Sequence, residues 1–530
     1  MAMETFETPF PHGFIYGDYG VGVVPKSVDE LDMIRLSTSI REKPNWSEKM
    51  NDPIIVAKWK AEIADSMSQS DKKFDYVLAE LGHYLSIKDG SIEVGAVDGT
   101  WQSDTLIDSE LRKKFMEEVS ALENVPDSKK DWHPGSNNQV LDLVHPSLFC
   151  FVAGRTKVTS KPMPPFCPDK PLKFADDDEF LSLDDGLKFA LKPTASLPDY
   201  TKSAKFQWLP SEFHVDESGE VKISSYINNL HPEYHPELYQ CIEKIFEKFV
   251  PMFNKVLTDL RNPRNNRVEI DYYDTFEYGE EREDDEEPER IRKPVKLPHF
   301  QPPAAPEKIV KLNGRDLQVI VKLANIHLTP DQPEYPGGSW HIEGMANERI
   351  VASGIYYYSS NNITESRLNF RHAVREPDYE QYDHEGVDLI YKLQNEEGLN
   401  QFIGSIVTKE GRCIAFPNTL QHQVAPFKLD DSTRDGHRKI LVFFLVDPSV
   451  KILSTSQVPP QQKEWFKQSV EGPDIKFPIE LVSKIVDLME WPMALEEAKR
   501  HRDELMNERK VFVDKSNQEY FERPFYLCEH

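Results

Sequence analysis

The sequence predicts an α+β protein whose core is a double-sheet β-barrel or jelly roll, preceded by a large helical N-terminal region and followed by C-terminal helices. Three observations predict this. Residues 27–125 place apolar side chains at spacings of three and four. Residues 317–446 carry short β-branched and aromatic runs punctuated by Gly, Pro and Asn. Residues 478–512 return to helical spacing.

In chain order, DELDMIRLSTSI, IIVAKWKAEIADSM, FDYVLAELGHYL and LRKKFMEEVSALE give a helical region over 1–125. Over 126–275 the Pro content first rises and periodicity weakens, which predicts ordered loops packed on the core. A helix is expected at 236–260, where Leu238, Cys241, Ile242, Ile245, Phe246, Phe249, Phe253 and Leu257 line one face and Pro251 kinks it. The acidic GEEREDDEEPER and the Pro-rich stretch after it cannot bury apolar area, so 276–308 reads as a solvated connector. Strands are expected at 317–328, 349–359, 366–374, 401–408, 411–418, 422–429 and 438–446, giving a core over 309–450. A helical extension over 451–530 is expected to pack outside it.

The chain has 530 residues, more than one hydrophobic core normally serves, and an apolar fraction of 39% that can build large cores. Its formal charge of -27 would repel a phosphate backbone, which makes nucleic acid an unsuitable partner. Five scattered cysteines with no CxxC pair point to a reducing compartment. With no basic n-region and no long apolar run, a cytoplasmic location is expected, the nucleus left open and a membrane span excluded.

Pairs of the form His-x-Asp/Glu occur five times among 16 histidines and mean little alone. His501-x-Asp503 lies in a helical stretch, where positions i and i+2 diverge by about 200°. His231-x-Glu233 and His235-x-Glu237 sit in a Pro-broken helix entry, and His214-x-Asp216 precedes an ESGE turn. His341-x-Glu343 differs. It follows the turn PEYPGGSW and leads into strands, so both side chains can project from one face of an extended segment. His422, 81 residues on, opens HQVAPF after the GRCIAFPN strand and supplies a third ligand. Two His and one carboxylate leave adjacent positions open on an Fe(II) ion for a co-substrate and O₂. Arg438, 16 residues past His422, enters the apolar strand RKILVFFLV, where a guanidinium that cannot lose its proton needs an anion.

The succession HxE, Gly411 to Phe416, His422-x-Val-x-Pro, then Gly-x-Arg438 resembles the prolyl-4-hydroxylase-like branch of the 2-oxoglutarate/Fe(II) oxygenase superfamily. The strings GGSWHIEGMANERIVASGIYYYSS, GRCIAFPNTLQHQVAPF and SYINNLHPEYHPELY resemble a large, mainly fungal and bacterial family known only as a domain of unknown function. The resemblance implies a double-stranded β-helix and a dioxygenase, most simply a hydroxylase, that couples oxidative decarboxylation of 2-oxoglutarate to substrate oxidation. It assigns Fe(II) to His341, Glu343 and His422 and the distal carboxylate of 2-oxoglutarate to Arg438. Glu343 stands where most of the superfamily has Asp.

Asn325 and His327 alternate on the strand before the HxE turn, Tyr356 and Tyr358 on the strand after it, and either pair could face 2-oxoglutarate or substrate. Asn325 and Tyr356 are taken as candidate cofactor-binding residues. Arg367 and Arg371 flank the next strand, and His372, His384 and His437 are the histidines that compete with His422. A small or medium-sized organic substrate is expected rather than a protein. The alternatives are a catalytically silent barrel serving as a binding scaffold, and a cupin-like metalloenzyme without 2-oxoglutarate.

Overall fold

A computed structural model of the chain describes residues 6, 8–13, 22–165, 174, 179–183, 199–279, 290–380, 383–470 and 478–527. Most of the acidic run, 280–289, lies outside the described residues, as do Cys167 and Cys528.

The polypeptide combines helices with a large antiparallel sheet. In chain order the strands of the two main sheets are β1 (Glu93–Val94), β2 (Trp101–Ser103), β3 (Val140–Val144), β4 (Ser211–Val215), β5 (Val221–Ile223), β6 (Arg315–Leu328), β7 (Ile350–Asn361), β8 (Arg367–Ala373), β9 (Asn400–Val407), β10 (Cys413–Pro417), β11 (Gln421–Val424) and β12 (Gly436–Val446). Nine form one sheet in the order β1-β2-β10-β7-β12-β6-β4-β5, with β3 also paired to β6, and three form a second in the order β9-β8-β11. The long central strands are rich in Val, Ile, Phe and Tyr, which suit a pleated surface buried on both faces.

Alternation along these strands separates two cores. Ile320, Ile355, Tyr357, Val442 and Phe444 of the large sheet pack with Leu368, Phe370, Ile403 and Ile406 of the small one, so the sheets meet face to face. The opposite parity, Val319, Val321, Leu323, Tyr356, Leu441 and Phe443, packs under helices. The chief of these covers the outer face: α4 (Pro236–Arg261), preceded by α1 (Val28–Arg41), α2 (Ser70–Ser86) and α3 (Ser109–Glu123). Phe246 and Phe249 of α4 set their rings 5.1 and 5.5 Å from Phe443. Gly354 permits that approach, because a Cβ there would come within 2.8 Å of the Phe249 and Phe253 rings. Each such Phe buried contributes about 1.5–3 kcal/mol. The helix continues through Pro251.

The division of the N-terminal half into helical and loop-rich regions needs correction, since residues 93–223 contribute five strands to the large sheet. Three of them, β1, β2 and β5, have only two or three residues and are too short to display a period of two. The C-terminal α5 (Leu495–Ser516) likewise does more than pack outside, for Ala498 and Leu505 join the core between the sheets. Among the described residues no helix is long and apolar enough to cross a membrane.

Candidate metal centre

The turn before His341 depends on Gly337, whose φ is +91° and whose added Cβ would lie 2.8 Å from the Val424 carbonyl. That approach lets Gly338 N–H donate to Val424 O at 3.0 Å and lays the following residues along β11. His341 and His422 then exchange two backbone hydrogen bonds of 3.2 and 3.0 Å. Glu343 is held by Asn418, which accepts from its N–H at 2.8 Å and donates to its C=O at 2.9 Å. Asn418 is fully buried and also donates to Ile350 O.

One ligand atom from each of His341, Glu343 and His422 lies within 4.8 Å of the others. Glu343 Oε1 is 3.2 Å from His422 Nε2 and 3.8 Å from His341 Nε2. His341 Nδ1 lies 2.8 Å from Ser339 O, so its proton sits there and the Nε2 lone pair faces the carboxylate. Phe370 and Phe416 pack around His422, which makes the pocket wall apolar. Burial opposes the charge on Glu343, yet the two imidazoles outweigh it and hold the carboxyl well below its ordinary range. Burial also works against a proton on His341, but the adjacent carboxylate prevails and raises its pKa. His422 is lowered by burial and by His341. Two imidazoles and a charged carboxylate are the donor set a divalent transition metal requires, and these residues could hold one.

Arg438 is 2% exposed, and its Nε and Nη1 have no hydrogen-bond partner among the described residues. Its guanidinium carbon lies 4.9 Å from the Tyr357 ring and 5.9 Å from the Phe427 ring. It stands opposite Ile326 on β6, hence on the face turned toward the small sheet. A buried cation among aromatic rings with unmade hydrogen bonds is costly unless an anion completes it.

Asn325 and Tyr356 are not brought to this site, which corrects their assignment as cofactor-binding residues. Asn325 donates to Glu123 Oε1 at 2.7 Å and accepts from Tyr358 O–H at 2.9 Å, on the helix-covered face. Tyr356 packs near Phe115 of α3 on that same face. His327 meets Trp132 there, and His437 lies 2.9 Å from Ser359 Oγ. The inward tyrosine is Tyr357. Arg367 pairs with Glu42 and Glu365, and Arg371 with Gln421 and Glu522. His372, His384 and His437 join neither of the two ligand clusters found among the described residues.

The second cluster, His133, Asp142 and His145, escaped the sequence reading because its members lie in a stretch without clear periodicity. His133 Nδ1 is 2.7 Å from Asp142 Oδ2, and Asp142 is opposite Ala324, on the inner face. Asn418 was missed too. Its position after the β10 strand in FPN carries a turn signal but nothing that announces a brace.

Fold and site together define a two-sheet protein with a His, Glu, His cluster, in which His422 is buried and His341 and Glu343 are partly so, and a buried arginine on the facing strand whose Nε and Nη1 have no hydrogen-bond partner among the described residues. The chain belongs to the family described as protein of unknown function DUF4246, which matches residues 71–469, while residues 1–62 match that family's N-terminal domain. No curated protein matches the chain. Among solved structures it is similar to an Fe(II)/(alpha)ketoglutarate-dependent dioxygenase, TqaL, at 13% identity, covering 46% of this chain and 67% of that one with a TM-score of 0.22. It is also similar to IDO from Bacillus thuringiensis at 8% identity, covering 66% and 90% with a TM-score of 0.25.

Proposed function

We propose that the chain is an Fe(II)- and 2-oxoglutarate-dependent oxygenase, acting as a hydroxylase on a small or medium-sized organic substrate. The observation that carries this reading is the buried guanidinium of Arg438, whose Nε and Nη1 lack a hydrogen-bond partner among the described residues, on the inner face toward which the His341, Glu343, His422 cluster is set. A metal site alone suits many chemistries; a buried cation beside it calls for a bound dianion with one carboxylate at depth. Two antiparallel sheets packed face to face are compatible with a double-stranded β-helix, which supports this reading. The iron, when bound, supplies O₂ activation coupled to decarboxylation of 2-oxoglutarate.

The protein's own contributions follow from the geometry. Ser339 O fixes the His341 tautomer, Asn418 fixes the backbone of Glu343, and Phe370 and Phe416 exclude water around His422. Arg438 orients the co-substrate by its far carboxylate, with Tyr357 as the wall beside it. Purified protein given Fe(II), O₂ and 2-oxoglutarate should release succinate, and His341→Ala should abolish it. Equal turnover in that variant would remove the metal assignment.

A further inference from the structure

Side chains alternate across a strand, so the residue beside an inward one turns to the outer face. Phe370 of β8 packs inward against Phe416 and His422 and stands opposite His422 on β11. Its neighbour Arg371 therefore points outward, opposite Gln421. Arg371 is buried there. Its Nε donates to Gln421 Oε1 at 2.7 Å, its Nη2 donates to Glu522 Oε1 at 2.7 Å, and its guanidinium carbon lies 4.7 Å from the centre of the Trp340 ring. Trp340 immediately precedes His341, and Gln421 immediately precedes His422. One cation thus grips the chain neighbour of each imidazole.

The anchor of this grip is the end of α5 and the segment after it. Gln421 Nε2 donates to Asn517 Oδ1 at 2.6 Å, so Arg371 and Asn517 engage both ends of one amide. Phe512 and Phe521 share a buried cluster with Ile342, the residue between His341 and Glu343. The segment is itself fixed at the start of β9, where Asn400 Nδ2 donates to Phe521 O at 2.8 Å and Leu399 N–H donates to Arg523 O at 2.9 Å. Each of the three ligands therefore has a chain neighbour held by the C-terminal segment, directly or through Arg371. A guanidinium suits this task, because it directs donors along its edges while its face rests on an aromatic ring. Arg367, at the start of β8, makes ordinary pairs with Glu42 and Glu365 and touches no neighbour of a ligand.

We infer that Arg371 is a positioning residue of the metal centre, which sets the two imidazoles by holding Trp340 and Gln421 against the C-terminal segment. The inference deepens the proposed function and rests on its metal assignment alone, not on the co-substrate or the reaction.

The test compares the full unmodified chain with Arg371→Met, Arg371→Lys and, as a control, Arg367→Met. Fe(II) affinity is measured anaerobically by competition with a chelator, and the visible absorption of the Co(II)-loaded protein reports the geometry of the ligands. Thermal denaturation of the metal-free chains measures stability separately. At temperatures where the chain is folded, Arg371→Met should weaken Fe(II) binding by about 10–100-fold, the loss seen when supports of metal ligands are removed, and shift the Co(II) band. Arg371→Lys should keep a charge beside Glu522, and with it the fold, yet lose about tenfold in Fe(II) affinity, because one ammonium cannot span Gln421, Glu522 and the Trp340 face. Arg367→Met should stay within about twofold of the unmodified chain, as an independent site does. Arg371→Lys also decides the matter should Arg371→Met fail to fold. The positioning role is overturned if Arg371→Lys binds Fe(II) as the unmodified chain does with an unaltered Co(II) band, or if Arg367→Met weakens binding as much. Absence of Fe(II) binding in the unmodified chain is a separate result, which overturns the metal assignment and the positioning role with it.

Discussion

Arg438 and Ile326 stand directly opposite each other on adjacent strands, and one step along the same ladder Lys439 stands opposite Asn325. The first pair faces the small sheet, the second the helices. One residue of register therefore decides which cation meets the site and which meets Glu123.

Because Arg438 has no carboxylate partner among the described residues and its Nε and Nη1 make no hydrogen bond there, replacing it should separate stability from binding. Arg438→Met is expected to leave the chain as stable or more stable, by roughly 1–4 kcal/mol, since an uncompensated buried charge is removed. Its affinity for 2-oxoglutarate should fall by more than about tenfold, the value of a lost bidentate carboxylate contact. Thermal denaturation and co-substrate titration of the same sample check both. A variant that loses stability but binds normally would contradict the anchoring role.

Asn325→Ala should behave in the opposite way. It strips a donor from Glu123 and an acceptor from Tyr358, costing about 1–3 kcal/mol. Co-substrate affinity should stay unchanged in chemical denaturation-matched conditions, because the residue faces away from the site. A change in that affinity would place Asn325 nearer the site than the register allows.

Asn418→Ala tests the brace on Glu343. Loss of the bonds to both backbone groups of Glu343 should weaken iron binding by about 10–100-fold, the range found when supports of metal ligands are removed. Equilibrium competition with a chelator measures this. Undiminished affinity would show that Glu343 holds its position unaided.

Acid should destabilise the fold through buried neutral histidines. His12, lowered by burial and by Arg349, and His372, lowered by burial and by Lys26, have folded-state pKa values of about 3. Between 6.5 and about 3 the unfolded chain binds the protons the folded chain refuses, so stability falls as pH drops through that window and levels off below it. The expected slope is on the order of 1 kcal/mol per pH unit for each histidine fully buried. In His372→Gln the dependence of unfolding free energy on pH should be shallower; an identical slope would exclude His372 as a contributor.

How much of this was legible in sequence follows from the length of each signal. The seven strand runs from 317 to 446 are long enough to show their period, and strands occupy each of those stretches. The triad and Arg438 were readable because their order along the chain matches a known succession, and the structure brings the three ligand side chains together. Asn325 and Tyr356 went to the wrong face because alternation states that two residues share a side without stating which side is inward. That choice is made by α3 and α4, whose contacts with Tyr356 and Phe443 are long-range.

The two backbone bonds between His341 and His422 bear on how such a site tolerates change. Two of the three ligands are yoked at the main chain, so they travel as one unit whenever the sheets breathe. The third hangs from the Asn418 brace and carries an extra methylene compared with Asp. Errors of fit are thereby confined to a single adjustable arm, leaving the imidazole pair as a fixed jaw against which that arm closes.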